Sequence, residues 1–302
     1  MRLFSPMQTP GAFRKIAAST WRRANDPQLF GGADIDFTAA SAFIERYNER
    51  FGVKITPTHL VGRAAGLVLA RYPKANAKIG MWRIWQRNSA DVYFHIATED
   101  GEDLFGTKVR AADGISLAEL ERTLHAAEQG IRDMTDKGFV RSRRIMLALP
   151  LFVLRPFIAL TSFAANELGI DLSSSGFARD AFGGAMVTSV GMFGLETGYA
   201  ALTPVARCSM CFAIMQLRRR PWVVGDRVEP RPVLRICATF DHRILDGHLA
   251  GLVAREVEDL LSHPEKLLTE TERPEFLQAA PAVVPSSDRP AVDGTRLPSP
   301  RL

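Results

Sequence analysis

The stretch that most constrains this chain is Thr239-Phe240-Asp241-His242-Arg243-Ile244-Leu245-Asp246-Gly247-His248. Before it, the apolar run Val233 to Phe240, broken only by Arg235 and Thr239, reads as a strand. After it, apolar residues recur with a helical period at Leu249, Leu252, Val253, Val257, Leu260 and Leu261, and the pattern stops before Pro264. A histidine therefore stands where a strand gives way to a short turn and a helix. Such a side chain is held by a rigid element yet can face a cleft, as a general base must. Asp246 follows four residues later and can fold back to fix the loop that carries the imidazole. A bare His-x-x-x-Asp would say little, because a lone histidine is usually a surface or core residue. The strand, the glycine and the helix around it make His242 a candidate catalytic residue.

The rest of the composition is that of a soluble globular protein: 302 residues, 46% hydrophobic and 24% charged. A formal charge of +5 suits an anionic ligand such as a nucleotide-bearing cofactor, an acidic partner or an anionic membrane surface. Nucleic acid is not expected, because no Lys/Arg array is interleaved with aromatics, and Arg218-Arg219-Arg220 reads as a solvated hairpin end. Cys208-x-x-Cys211 has a metal-like spacing, but no second Cys/His pair completes a site, so a buried reduced pair and no metal are expected. The start, Met1 to Pro6, has no apolar signal region, and a cytoplasmic chain is expected.

Along the chain, Arg14 to Arg23 is basic and helix-compatible, and Ala33 to Phe37 alternates like a strand. Ala39 to Phe51 carries an apolar stripe closed by Gly52, and Thr56-Pro57 opens a second helix that runs to Tyr72. Strands are expected at Lys78 to Trp85 and Val92 to Thr98, a long helix at Gly114 to Lys137, and strands at Ala185 to Val190 and Cys208 to Leu217, with a hairpin through Gly225-Asp226. From Pro274 on the composition has no periodicity, and residues 273–302 are expected to be a disordered tail.

Residues 140–180 differ in texture. Ile145 to Leu160 is apolar except for Arg155, is broken by Pro150 and Pro156, and is preceded by Arg141, Arg143 and Arg144. Two prolines and a central Arg argue against a spanning helix. A buried helical hairpin, a subunit contact and a membrane-dipping or lipid-facing element remain open. Ser173 to Gly176 then reads as a loop.

With the elements in this order, the chain resembles the catalytic domain of the dihydrolipoamide acyltransferases of 2-oxo acid dehydrogenase complexes and, more distantly, chloramphenicol acetyltransferase. Phe240-Asp241-His242-Arg243-x-x-Asp246-Gly247 is similar to the family's Asp-His-Arg-x-x-Asp-Gly signature. Phe182 to Gly194 is similar to a segment that usually ends in Ser-Asn-Leu-Gly-Met-Phe-Gly. Pro27 to Asp36, Gly52-Val53-Lys54, Pro73-x-x-Asn76 and Ser116 to Leu120 also fit, so the resemblance covers most of residues 14–268 apart from the 140–180 block.

The resemblance implies an α/β (α+β) two-layer sandwich of the chloramphenicol acetyltransferase-like kind, a mixed sheet covered by helices, here with an apolar helical insert. It implies a homotrimer with the active site in a channel between subunits. His242 would be the general base on a thiol, of coenzyme A or dihydrolipoamide, and the thiolate would attack an acyl thioester. Aligning on Gly191 puts Thr188 at the position of the family's oxyanion-stabilising serine, with Ser189 beside it. Asp246 would hold the turn, with Arg23 as its candidate ion-pair partner, since Trp21-Arg22-Arg23 resembles the Trp-x-Arg of chloramphenicol acetyltransferases; Arg22 or Arg14 could serve instead. Ser189, Gly191 and Arg23 thus make up the candidate binding side of the site.

The expected organisation is an N-terminal extension over residues 1–13, a catalytic domain over 14–272 and a tail. The resemblance begins near Arg14, so no lipoyl attachment site is expected in this chain, and a lipoyl-bearing or dehydrogenase partner would supply it. The 140–180 insert could line an acyl-chain tunnel or seat the enzyme peripherally on a membrane. A different class of function also fits the pattern, a non-catalytic scaffold that binds a membrane or partner through this block.

Overall fold

The computed structural model describes residues 4–6, 27–97, 104–133, 135, 140–141, 144–145, 148–170, 172–173 and 178–278. Its strands are β1 (Phe4–Pro6), β2 (Gln28–Asp36), β3 (Ala77–Gly80), β4 (Arg83–Arg87), β5 (Val92–Ala97), β6 (Leu104–Val109), β7 (Ala185–Ser189), β8 (Met210–Ile214), β9 (Arg218–Val224) and β10 (Arg227–Asp241). Its helices are α1 (Thr38–Phe51), α2 (Pro57–Arg71), α3 (Leu117–Arg132), α4 (Leu151–Asn166), α5 (Gly247–Ser262) and α6 (Glu272–Gln278).

One mixed sheet runs in the order β2-β10-β8-β7-β5-β6, and β9 pairs with the first half of β10. β10 is antiparallel to β2 and β8, whereas β8-β7 and β7-β5 are parallel. Parallel neighbours need long crossovers, and the one from β5 to β7 contains α3 and α4. Helices cover one face of the sheet. There Ile236, Ala238 and Phe240 of β10 and Val187 of β7 join Phe43, Leu60, Val253 and Val257 in a single buried core. The intervening strand positions point the other way, where Met186 and Cys211, and separately Ala213, Met215 and Cys237, form two smaller buried clusters. The α/β two-layer architecture expected from the sequence is the one observed.

The helix limits follow local chemistry. Gly52 takes a left-handed φ of 62° and stops α1, Pro57 opens α2, and Ser116 caps α3 by accepting from the Glu119 N–H at 3.1 Å. That cap starts α3 at Leu117 rather than at the expected Gly114.

Three other expectations are corrected. Lys78 to Trp85 is not one strand: β3 and β4 form a tight hairpin in which Gly80 pairs with Arg83. Its two turn residues, Met81 and Trp82, both have positive φ, 46° and 63°. Neither is a glycine or asparagine, so the sequence carried no turn signal. A strand not expected, β6, closes the far edge of the sheet beside β5. The folded domain also passes residue 273. Glu272 is buried, accepts from Leu117 N at 3.0 Å and Thr269 N at 2.9 Å, and receives the Tyr47 hydroxyl. Phe276 of α6 then packs on Phe43 at a ring separation of 5.0 Å.

The 140–180 block provides α4. Its apolar face is not enclosed, since Phe152 and Leu160 are 79% and 67% exposed, so among the described residues the buried-hairpin alternative does not hold for the single chain. Arg14 to Arg23, Arg143, Ser174 to Gly176 and the tail beyond Gln278 lie outside the described residues.

Candidate active site

β10 ends at Asp241, and the chain turns at once, with Ile244 N and Leu245 N both donating to the Asp241 carbonyl at 2.9 Å. His242 sits on this turn. Its own N–H donates to Pro27 O at 2.7 Å, and Asp241 N donates to Ser209 O at 2.8 Å, so neighbouring segments clamp the backbone on both sides. The half-buried imidazole places Nδ1 2.8 Å from Leu245 O. A carbonyl can only accept, so Nδ1 carries the proton. In the neutral ring Nε2 then holds the lone pair, and the same bond fixes the ring's orientation.

Asp246 occupies the N-cap of α5, where its Oδ1 accepts from Leu249 N at 2.8 Å. The acid thus fixes the junction between the histidine turn and the helix. Arg23, its candidate ion-pair partner, and the alternatives Arg22 and Arg14 lie outside the described residues.

A second acid at the turn had no role in the sequence expectations. Asp241 is buried and forms a two-pronged pair with Arg243, Nε to Oδ1 at 2.9 Å and the second prong to Oδ2 at 2.7 Å, while Arg243 N donates to Oδ1 at 3.1 Å. His242 is therefore flanked on both sides in sequence by members of one buried ion pair. Residues two apart meet this way only because the turn folds them together, which no spacing rule reveals.

Thr188 lies on β7 and is 7% exposed. Alternation puts it on the face of Met186, away from the covering helices. Ser189 follows, half-buried, and Gly191 opens a tight turn through Phe193. A Cβ on Gly191 would sit 2.5 Å from Met215 C and O, so only glycine fits against that backbone. On the same face Cys208 and Cys211 are free and buried; burial pushes the Cys208 thiol up to about 12 and raises Cys211 as well.

Strand register separates Thr188 from His242. Thr188 pairs with Ala213, and Ala213 with Cys237. His242 lies five residues beyond Cys237, about 16 Å along the chain, and two strand spacings add about 10 Å sideways. Within one chain, Thr188 and His242 are thus roughly 19 Å apart and do not share one reacting atom.

Residues 10–136 and 178–269 match the model of the 2-oxoacid dehydrogenases acyltransferase (catalytic domain) family. The chain belongs to this family. The match steps over residues 137–177, the stretch that contains α4. Among curated relatives, the dihydrolipoyllysine-residue succinyltransferase component of 2-oxoglutarate dehydrogenase complex 1 of Arabidopsis thaliana is 24% identical over 228 residues, which are 76% of this chain and 40% of that protein. The chain thus spans less than half the length of that relative. A dihydrolipoamide acetyltransferase of Azotobacter vinelandii, studied for the role of a serine, a histidine and an asparagine in its catalytic mechanism, superposes with a TM-score of 0.58 at 18% identity over 87% of this chain and 94% of the other. Chloramphenicol acetyltransferase superposes with a TM-score of 0.50 at 12% identity over 85% of this chain and 99% of the other. The fold is therefore the chloramphenicol acetyltransferase-like fold of the family.

Proposed function

We propose that this chain is a coenzyme A-dependent acyltransferase with His242 as its general base. The observation that carries this reading is the Nδ1 hydrogen bond to Leu245 O, which leaves Nε2 as the ring's proton acceptor at the end of a rigid strand. In the proposed step Nε2 takes the proton of a thiol, either of coenzyme A or of a dihydrolipoyl group. The thiolate attacks the carbonyl carbon of an acyl thioester and forms a tetrahedral oxyanion. Thr188 Oγ1 donates to that oxyanion, a bond of the kind that contributes on the order of 3 kcal/mol. Collapse breaks the original C–S bond, and the departing sulfur recovers the proton from the imidazolium. Asp246 positions the histidine turn, Gly191 lets the Thr188 strand end against Met215, and Ser189 and Arg23 belong to the binding side.

The roughly 19 Å between Thr188 and His242 in one chain favours a site completed by a second copy, and a homotrimer is the assembly we assign. The lipoyl group, where it is the acceptor, resides on another domain or chain, as does any dehydrogenase partner. We place the protein in the cytoplasm, with no metal and no nucleic acid in its chemistry. The exposed apolar side of α4 favours a second role for the 140–180 block, contact with a lipid surface. The acyltransferase reading is tested by replacing His242 with Ala and measuring thioester exchange together with molecular mass. The expected result is loss of exchange with the assembly intact, and full retained activity would overturn it.

A further inference from the structure

A helix on the surface of a soluble domain normally turns its polar residues outward. α4 does the reverse. Among its described side chains the exposed ones are Phe152, Val153, Pro156, Ala159, Leu160 and Phe163, most of which fall on one face at helical spacing, and none of these is polar. Thr161, Ser162 and Asn166 are instead half-buried. At 16 residues the helix is about 24 Å long, shorter than a bilayer core of about 30 Å. Among the described residues no helix is long and apolar enough to cross a membrane, so a lipid-facing α4 would lie in the plane of the interface.

A second, independent feature adjoins its C-terminal end. The β3-β4 hairpin is fastened there: Lys78 Nζ donates to Asn166 O at 3.1 Å, and a Cβ on Gly80 would meet Glu167 Oε2 at 2.9 Å. The tip of that hairpin is Met81-Trp82, both at positive φ, where side chains are strained, and Trp82 is 99% exposed. A strained turn that presents a bare indole and a thioether to water gains nothing in the isolated chain. Tryptophan is the side chain favoured at the boundary between lipid headgroups and acyl chains, where its ring is buried and its N–H stays wet.

Charge identifies the kind of surface. Within residues 140–170 and 178–180 the described carboxylates are Glu167 and Asp180, and both are held inward, Glu167 by Arg207 and Asp180 by Arg87 at 2.9 Å. Burial alone would raise the Asp180 carboxyl, but the Arg87 charge and hydrogen bonds outweigh it and hold it below its usual value. Exposed cationic side chains also stand here, Arg141 and Arg144 before α4 and Arg83 beside Trp82. We propose that the apolar face of α4 and the Met81-Trp82 hairpin tip together form a docking surface for an anionic lipid bilayer, with the helix lying in the interface and Trp82 as its anchor.

The test uses the full chain with vesicles of phosphatidylcholine alone or mixed with phosphatidylglycerol. The wild type is expected to sediment with the anionic vesicles, with a blue shift of tryptophan emission that Trp82→Ala largely removes. Phe152→Ser combined with Leu160→Ser should weaken partitioning about tenfold. Arg141→Glu combined with Arg144→Glu should remove the preference for anionic vesicles. Circular dichroism melting establishes that each variant is folded. No vesicle binding by the wild type, or undiminished binding by the folded apolar variants, would overturn the proposal. So would a change in oligomeric mass in those variants without vesicle binding in the wild type, which would make the patch a subunit contact.

Discussion

Thr188 lies two strands from β10 and level with its Cys237, five residues short of His242 on the turn that follows the strand. The offset is set by backbone pairing and does not yield to side-chain rotation. If both residues act on one acyl group, each active site takes its base from one copy and its oxyanion donor from another. His242→Ala and Thr188→Ala chains, each inactive alone, should then complement when refolded together. Random mixing in equal amounts gives both intact groups at about a quarter of the sites. Recovery near that fraction in a thioester exchange assay is the expected outcome; a site built within one chain would recover nothing.

The hydroxyl role separates from a packing role by substitution. Thr188 is nearly buried in a strand, so Thr188→Val keeps the shape and removes the donor, whereas Thr188→Ser keeps the donor and removes a methyl. Loss of one oxyanion donor costs roughly 100- to 1000-fold in kcat. Thr188→Val should show that loss with little change in KM, and Thr188→Ser should stay within about threefold of wild type. A pure packing role would reverse the order, because valine is the better shape mimic.

How much of the fold is legible in the sequence depends on whether burial leaves a period there. α1 and α5 each bury one stripe, α2 is buried on every side from Leu60 to Gly66, and each carries a stop or start signal, Gly52, Asp246 or Pro57, so they emerge plainly. Only the second half of β10 was visible, because Arg227 to Pro232 pairs with β9 away from the core and buries little. The Met81-Trp82 turn stayed hidden because its residues contradict its backbone geometry. At the site, His242 was legible as a strand-end residue. The Asp241–Arg243 pair was not, since it exists only once the turn is folded. Phe276 lay in the stretch that reads as tail, and its burial depends on packing against Phe43 of α1, a contact far away in sequence.

The Asp241–Arg243 pair supports a stability prediction. Both side chains are nearly buried, at 4% and 9% exposed, and removing one partner leaves the other as an uncompensated buried charge. Such a deletion typically costs about 3–5 kcal/mol. Arg243→Met should therefore lower the denaturation midpoint sharply, whereas replacing both residues together with apolar side chains should be less damaging than the single change. Urea melts of the three variants decide this, and an Arg243→Met variant as stable as wild type would show that the turn holds without the pair.

His59 in α2 is expected to make the fold sensitive to acid. It stands in the first turn of α2, where Thr56 N donates to its Nδ1 at 3.0 Å, so the ring is neutral with its proton on Nε2. Burial lowers its pKa to about 4. In the unfolded chain the same ring takes up a proton near 6.5. Below about pH 6.5 the unfolded state therefore binds more protons than the folded one, and stability falls with pH until the folded ring also titrates near 4. Above that window the histidine contributes no pH dependence. The difference of about 2.5 units corresponds to at most about 3 kcal/mol. Melting temperature followed from pH 7 to pH 4 should drop more steeply for the wild type than for His59→Asn, whose amide oxygen can still accept from Thr56 N. Parallel curves would place the acid sensitivity in other groups.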